Sequence, residues 1–252
     1  MKMKLLCCAL TATALSACGG GGGDGHSGAV AFVQPDVSGG VAQGLYGGTD
    51  SAGDLISGVV LDTGVFYFVY VNQTSDTLGL IQGTASRSSG SLKSTDAINY
   101  LIGQKVVGGD NIAFSYAAQS TISGTVTPSA GGAALTFTAN YSPVYDQAPS
   151  LASIAGTYTG AAGSVRGEET ASVTINAAGA VSGQGASGCL FSGTAAPHGS
   201  KNLYDVTIAF GGAPCLYPGR TLTGVLSADG NALLAAAPLP DRSDAFVLAA
   251  LK

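Results

Sequence analysis

Few of the 252 residues could do chemistry, and their spacing limits what kind. A nucleophilic site needs a Ser or Cys, a His that takes its proton and a carboxylate that orients the His. The chain has two histidines, His26 in Asp24-Gly25-His26-Ser27-Gly28 and His198 in Pro197-His198-Gly199-Ser200. Both stretches are turn-like and polar. Asp205 is the carboxylate near His198, but it lies across a strand with no sign of pairing. Neither G-x-S-x-G nor S-x-x-K occurs. His198 is therefore expected to be a solvated turn residue. Gly183-Gln184-Gly185-Ala186-Ser187-Gly188 spells a dinucleotide fingerprint, which works only between a strand and a helix. Here it runs into Cys189-Leu190-Phe191, which reads as strand, and a chain with 39 Gly supplies such a match by chance. Glu168 and Glu169 are adjacent, so on a strand they point to opposite faces and cannot share a proton; they read as a charged turn. The scattered Asp residues show no metal spacing. No catalytic residue, metal site or cofactor is expected.

The elements that would position a site are strands. Charged residues make up 10% of the chain and Trp is absent, while Gly, Ala, Thr, Ser and Val dominate. That composition suits strands with uncharged polar outer faces, and is too apolar for disorder. Period-two alternation recurs in Leu135–Tyr141, Thr170–Asn176 and Tyr204–Phe210, and in Ile112, Phe114 and Tyr116. Val65-Phe66-Tyr67-Phe68-Val69-Tyr70-Val71 is apolar on both faces, which predicts either a doubly buried strand or a contact to the other half of the molecule. Ser94–Ile102 alone suggests a helical turn, with Ser94, Thr95 or Asp96 as cap.

Two prolines between Ser142 and Pro149 mark a boundary. After it, Gly156-Thr157-Tyr158-Thr159-Gly160 echoes Gly44-Leu45-Tyr46-Gly47-Gly48, so each half opens with G-x-Y-x-G. Ser192-Gly193-Thr194-Ala195-Ala196-Pro197 echoes Ser123-Gly124-Thr125-Val126-Thr127-Pro128 at a different spacing, which leaves a duplication undecided. The expected architecture is all-β, with two antiparallel domains (41–145 and 150–252) of about eight strands each. Each is a small barrel or, alternatively, a sandwich. Strands shorter than the nine to eleven residues of a membrane-crossing barrel argue against insertion of the barrels themselves.

The start of the chain has a different character. Lys2 and Lys4 form a basic segment, Leu5–Leu15 a short apolar one, and Leu15-Ser16-Ala17-Cys18 follows. This resembles the lipoprotein signal of bacteria. The resemblance implies cleavage after residue 17, lipidation and N-acylation of Cys18, and a membrane anchor; Gly19 resembles an outer-membrane address. Residues 18–40, with Gly19–Gly23, then read as a flexible tether. A single copy of a calcium-binding nonapeptide pattern there cannot stack into a β-roll. With Cys7 and Cys8 in the signal and Cys18 lipidated, Cys189 and Cys215 remain. One disulfide between them is the simplest arithmetic in an oxidising compartment, and a two-Cys metal site lacks further ligands nearby. Loss of Lys2 and Lys4 leaves the mature chain near −7, with no basic cluster for phosphates, so no nucleic-acid partner is expected.

The second half carries Ser187-Gly188-Cys189-Leu190-Phe191-Ser192-Gly193-Thr194, then Asn202-Leu203-Tyr204-Asp205-Val206 and Phe210-Gly211-Gly212-Ala213-Pro214-Cys215. With Leu45-Tyr46 and Gly58-Val59-Val60-Leu61-Asp62, these segments resemble a group of proteobacterial lipoproteins to which no activity is assigned. The resemblance implies a lipid-anchored β protein with a Cys pair. In broad architecture it is similar to surface lipoproteins of Neisseria that bind host proteins, although no binding motif matches residue by residue.

Three functions follow. The first is an envelope lipoprotein that acts as a binding or structural module for a protein partner, not an enzyme. Its expected contact face is exposed apolar surface at Phe66, Phe68 and Tyr70. The second is a lipocalin-like carrier holding a small apolar ligand among inward aromatics such as Phe114, Phe137, Tyr141, Tyr204 and Phe210. This requires a cavity of at least about 300 Å³. The third is a hydrolase of unfamiliar type using His198.

Overall fold

A computed structural model describes residues 42–88 and 91–252. The signal segment, Cys18, the tether and His26 lie outside the described residues.

The alternation seen in the sequence becomes two closed antiparallel barrels. The first is built from β1 (Gly44–Asp50), β2 (Leu55–Val60), β3 (Val65–Asn72), β4 (Thr77–Thr84), β5 (Ser86–Ser88), β6 (Ser91–Leu101), β7 (Val106–Ala117), β8 (Thr121–Pro128) and β9 (Leu135–Ser142). These run in the order β4-β3-β2-β1-β9-β8-β7-β6-β5, and pairing of β4 with β6 closes the ring around eight of them. Two short helical turns, Pro143–Asp146 and Leu151–Ile154, form the link. The second barrel is β10 (Gly156–Ser164), β11 (Gly167–Ile175), β12 (Ala180–Gly185), β13 (Leu190–Pro197), β14 (Tyr204–Phe210), β15 (Thr221–Asp229), β16 (Ala232–Pro238) and β17 (Ala245–Leu251). They follow in chain order around the ring. Both units are thus barrels, not sandwiches, and closure leaves no long exposed edge among the described residues.

The two G-x-Y-x-G segments are the opening strands of the two barrels and do the same work in each. Tyr46 Oη donates to the Ala42 carbonyl at 2.7 Å, and Tyr158 Oη to the Ile154 carbonyl at 2.8 Å, each four residues upstream. Both rings are buried at the base of their barrel. The last Gly of each motif lies against the barrel's closing strand: a Cβ on Gly48 would strike Thr138 in β9, and one on Gly160 would strike Ala249 in β17. The second echo has no such equivalence, since β8 and β13 sit at different places in their rings.

Of Ser94–Ile102, all but the last residue is strand, not helix. Its capping residues serve a bulge between Ser94 and Ala97, where Ser94 Oγ donates to Asp96 Oδ1 at 2.8 Å and Asp96 Oδ1 accepts the Thr84 amide at 2.9 Å. The extra residue resets the parity of β6, so that Ala97, Asn99 and Leu101 point inward. Glu168 and Glu169 also lie within a strand, β11, just past its turn. Five strands exceed the expected lengths, β6 with 11 residues, β7 with 12, and β10, β11 and β15 with nine each. What argues against lipid around the first barrel is its outer face: Asn111, Ala113 and Ser115 on β7, and Thr136, Thr138 and Asn140 on β9, are exposed.

The barrels share a buried apolar seam. Val69, Val71, Leu78, Leu80, Tyr100 and Ile102 on the outside of the first meet Val165, Ala236, Ala245, Val247 and Ala249 on the outside of the second. The doubly apolar β3 therefore satisfies both sequence alternatives at once. Its Phe66 and Phe68 point into the first barrel, while Val69 and Val71 face the second.

Candidate functional site

The same fold has two different interiors. In the second barrel, Phe191, Phe210 and Phe246 pack at the end where β12 meets β13 and β14 meets β15, with centroids 5.3 to 6.1 Å apart. The segment joining β14 to β15 folds over that end. It brings Tyr217, 1% exposed, to 5.3 Å from the Phe210 ring. A disulfide between Cys189 and Cys215 pins it to the start of β13. Tyr204, at the opposite end, is fully buried. The second barrel is filled and stoppered.

The first barrel is filled only at its base, where the Tyr46 and Tyr141 rings meet edge-on at 5.7 Å. Above them lies a cavity of about 470 Å³. Phe66, Phe68, Ile112, Phe114 and Phe137 line its depth, with Ile56, Ile81 and Val126 beside them. These last three are inward-facing yet only partly buried, because no side chain of the described residues fills the space in front of them. The walls continue to Ser75, Gln104 and Leu135, all exposed, so the cavity reaches solvent at the end where β1 meets β2 and β3 meets β4.

Near that end the lining turns polar and acidic. Asp50, Asp54 and Asp110 line it with Tyr70, Asn72 and Asn99. Tyr70 reaches across because its register partner is Gly79, where any Cβ would occupy the Tyr70 ring. Tyr70 Oη donates to Asn99 Oδ1 at 2.8 Å, and the Asn99 side chain in turn hydrogen-bonds Asp110. Burial pushes the Tyr70 phenol up to about 12; the Asn99 bond opposes this, and Asp110, Asp54 and Asp50 add to it. Burial likewise raises the Asp110 carboxyl above its usual range, against the Asn99 hydrogen bond. Among the described residues no three His, Cys, Asp or Glu side chains gather to hold a metal ion.

No family model, curated protein or solved structure matches this chain. Function therefore rests on the site itself.

The sequence candidates scatter. His198 is not a free turn residue: its Nδ1 lies 2.7 Å from Asp205 Oδ1, within the hairpin of β13 and β14. Its Nε2 lies 3.7 Å from Asp62 Oδ1, in the turn after β2. Both ring nitrogens thus face carboxylates, and the place a nucleophile would take is held by Asp62. Asp205 and Asp62 are more than half exposed, so these are weak surface pairs, the first within the second barrel and the second between the barrels. The Gly183–Gly188 motif is the hairpin of β12 and β13, with no helix behind it. Glu169 accepts the Ser187 amide there. Phe66 and Phe68 are buried inside the barrel, at 0% and 8% exposure, and do not form the expected contact surface. Phe114 and Phe137 line the cavity, whereas Tyr204 and Phe210 belong to the filled barrel. Sequence pattern does not single out Asp110 or Asn99 as site residues. Asp110 stands two residues before Ile112, on the face that the alternation of Ile112, Phe114 and Tyr116 defines, and that spacing is the signal that could have found it.

Proposed function

We propose that this chain is a lipid-anchored envelope lipoprotein whose first barrel binds a small, largely apolar molecule, as a carrier or receptor. The observation behind this reading is the cavity of about 470 Å³ in one barrel, set against the filled interior of the other. Cavities of about 300 to 1,000 Å³, mostly apolar with a few placed polar groups, are where small ligands bind. A packed protein interior does not otherwise keep so large an apolar space. The surface-docking alternative had Phe66, Phe68 and Tyr70 as its specific support, and these line the cavity instead. The anchor rests on Leu15-Ser16-Ala17-Cys18 and the segments before it, which lie outside the described residues.

The test is calorimetric titration of 1-decanol into the mature chain, with Cys18→Ser so that no detergent competes. Saturable binding near one equivalent is expected. Ile56→Trp, which places a large ring in the cavity, should abolish it while leaving the circular dichroism spectrum unchanged. Absence of binding to the parent chain, or equal binding to both proteins, would remove the cavity as the site.

A further inference from the structure

The two halves of the cavity wall differ in chemistry. The depth is hydrocarbon, whereas Asp50, Asp54 and Asp110 stand toward the mouth, and among the described residues no Lys or Arg lines it. Two of these carboxylates are already engaged by the protein. Asp50 Oδ1 accepts the amides of Ala52 and Asp54 at 2.8 and 2.9 Å. Asp54 accepts Asn72 Nδ2 at 3.0 Å and the Gln73 amide at 3.2 Å.

Asp110 differs. It is 3% exposed, it points inward on the same face of β7 as Ile112 and Phe114, and its Oδ2 has no hydrogen-bond partner among the described residues. A buried carboxylate with an idle oxygen is costly, and a donor supplied by a ligand would relieve that cost. The group is also held in place, since Asn99 bonds it and Tyr70 holds Asn99. A cation suits the position better than a neutral donor. The three carboxylates act with one sign in a partly dry site, and a hydrogen bond to an ionised group is about twice as strong as a neutral one. An anionic head would meet the same three charges and be repelled.

Resting on the reading of the first barrel as a ligand site, we propose that its ligand is an amphiphilic amine, with the hydrocarbon body in the aromatic depth and the ammonium on Asp110. At about 30 Å³ per heavy atom, the volume a water occupies in the liquid, the cavity holds on the order of 15 such atoms. An ammonium beside Asp110 also favours the carboxylate form that burial disfavours.

Three probes with one ten-carbon chain separate the possibilities: decylamine, 1-decanol and decanoate, titrated into the Cys18→Ser chain and into the same chain with Asp110→Asn. Decylamine should bind the parent roughly tenfold or more tighter than 1-decanol, the factor one charge-assisted hydrogen bond supplies. Decanoate should bind more weakly than both. In Asp110→Asn the amine preference should collapse toward unity while 1-decanol binding persists. Asp110→Ser is the second variant if the amide fails to fold. Equal affinities for amine and alcohol in the parent would overturn the ligand class and leave the cavity reading standing. A preference that survives loss of the Asp110 carboxylate would overturn the role of that residue. If none of the three binds the parent, the cavity reading falls as well.

Discussion

At the residue scale, Asp110 is the most consequential side chain, because an ionised carboxylate in a nearly closed wall opposes folding. Its carboxyl is raised above the ordinary range by burial. A group whose folded pKa is raised stabilises the fold fully below its unfolded value, near 3.9 for Asp, and loses that contribution as pH climbs through the folded value. Asp110→Asn keeps the shape and a hydrogen-bonding partner for Asn99 but removes the charge. The ligand-free variant should therefore melt higher than the parent at pH 7.5, by roughly 2–4 °C for relief of about 1 kcal/mol. The gain should vanish near pH 3.5, where the parent's carboxyl is neutral too. Thermal melts at the two pH values check this, and a variant that melts lower at pH 7.5 would mean the carboxylate is stabilised by contacts stronger than Asn99. How far this site is legible in the sequence follows from parity. The alternation of Ile112, Phe114 and Tyr116 points straight at Asp110, so its direction can be read from the residues alone. That it lines unfilled space cannot, because parity says which side chains enter a barrel and not whether their volumes fill it.

At the element scale, closure explains why these strands are rich in glycine. Gly48 and Gly160 end the two G-x-Y-x-G motifs, and each faces the backbone of the strand that closes its barrel. Neither neighbour can yield as a flexible side chain would, since the obstructing atoms are carbonyl oxygen and Cα. Gly160→Ala should thus force β10 away from β17 and cost about 1–3 kcal/mol, the range for overpacking in a well-packed site. Gly212→Ala, where nothing lies within 4 Å, should change stability by less than about 0.5 kcal/mol. Urea unfolding of the two variants beside the parent measures both. A Gly160→Ala chain as stable as Gly212→Ala would show that the closing seam has slack. The G-x-Y-x-G repeat makes this seam legible in the sequence, because Tyr and Gly at fixed spacing are needed together, one to plug the base and one to admit the last strand. The bulge in β6 is hidden for the opposite reason. Ser94, Thr95 and Asp96 offer side-chain oxygens to nearby amides, and the same chemistry serves a helix cap or a bulge equally well. Only the pairing of β6 with β4 and β7 decides between them, and that pairing is set by the closure of the whole ring.

At the scale of the whole molecule, the two barrels are joined by something closer to a core than to a surface contact. Leu80, Tyr100 and Val247 at the seam are all fully buried, which is unlike the polar contacts that let domains move independently. Polar anchors fix the register of one barrel on the other. Arg242, between β16 and β17, donates through Nη2 to the carbonyls of Gln82 at 2.9 Å and Asp96 at 2.6 Å, and Tyr100 Oη donates to the Arg242 carbonyl at 3.0 Å. The doubly apolar β3 is the sequence's sign of this arrangement. Its outer face needs a partner, and the second barrel's own apolar strands supply one. Two barrels coupled over such a surface should unfold in a single cooperative transition, with the open-mouthed barrel drawing stability from the filled, disulfide-pinned one. Leu80→Asp tests the coupling, because Leu80 points away from the first barrel's interior, and a charge there disrupts the seam without touching either core. Scanning calorimetry should resolve two transitions in the variant where the parent shows one, the lower belonging to the first barrel. Addition of 1-decanol should raise that lower transition and leave the upper one in place, since a ligand stabilises only the unit that binds it. Thr136→Asp, on the exposed outer face of β9, should keep the parent's single peak. A single peak in Leu80→Asp would mean that the link over residues 143–155 and the Arg242 contacts suffice to couple the barrels. Two peaks in the parent would mean that the seam does not couple them at all.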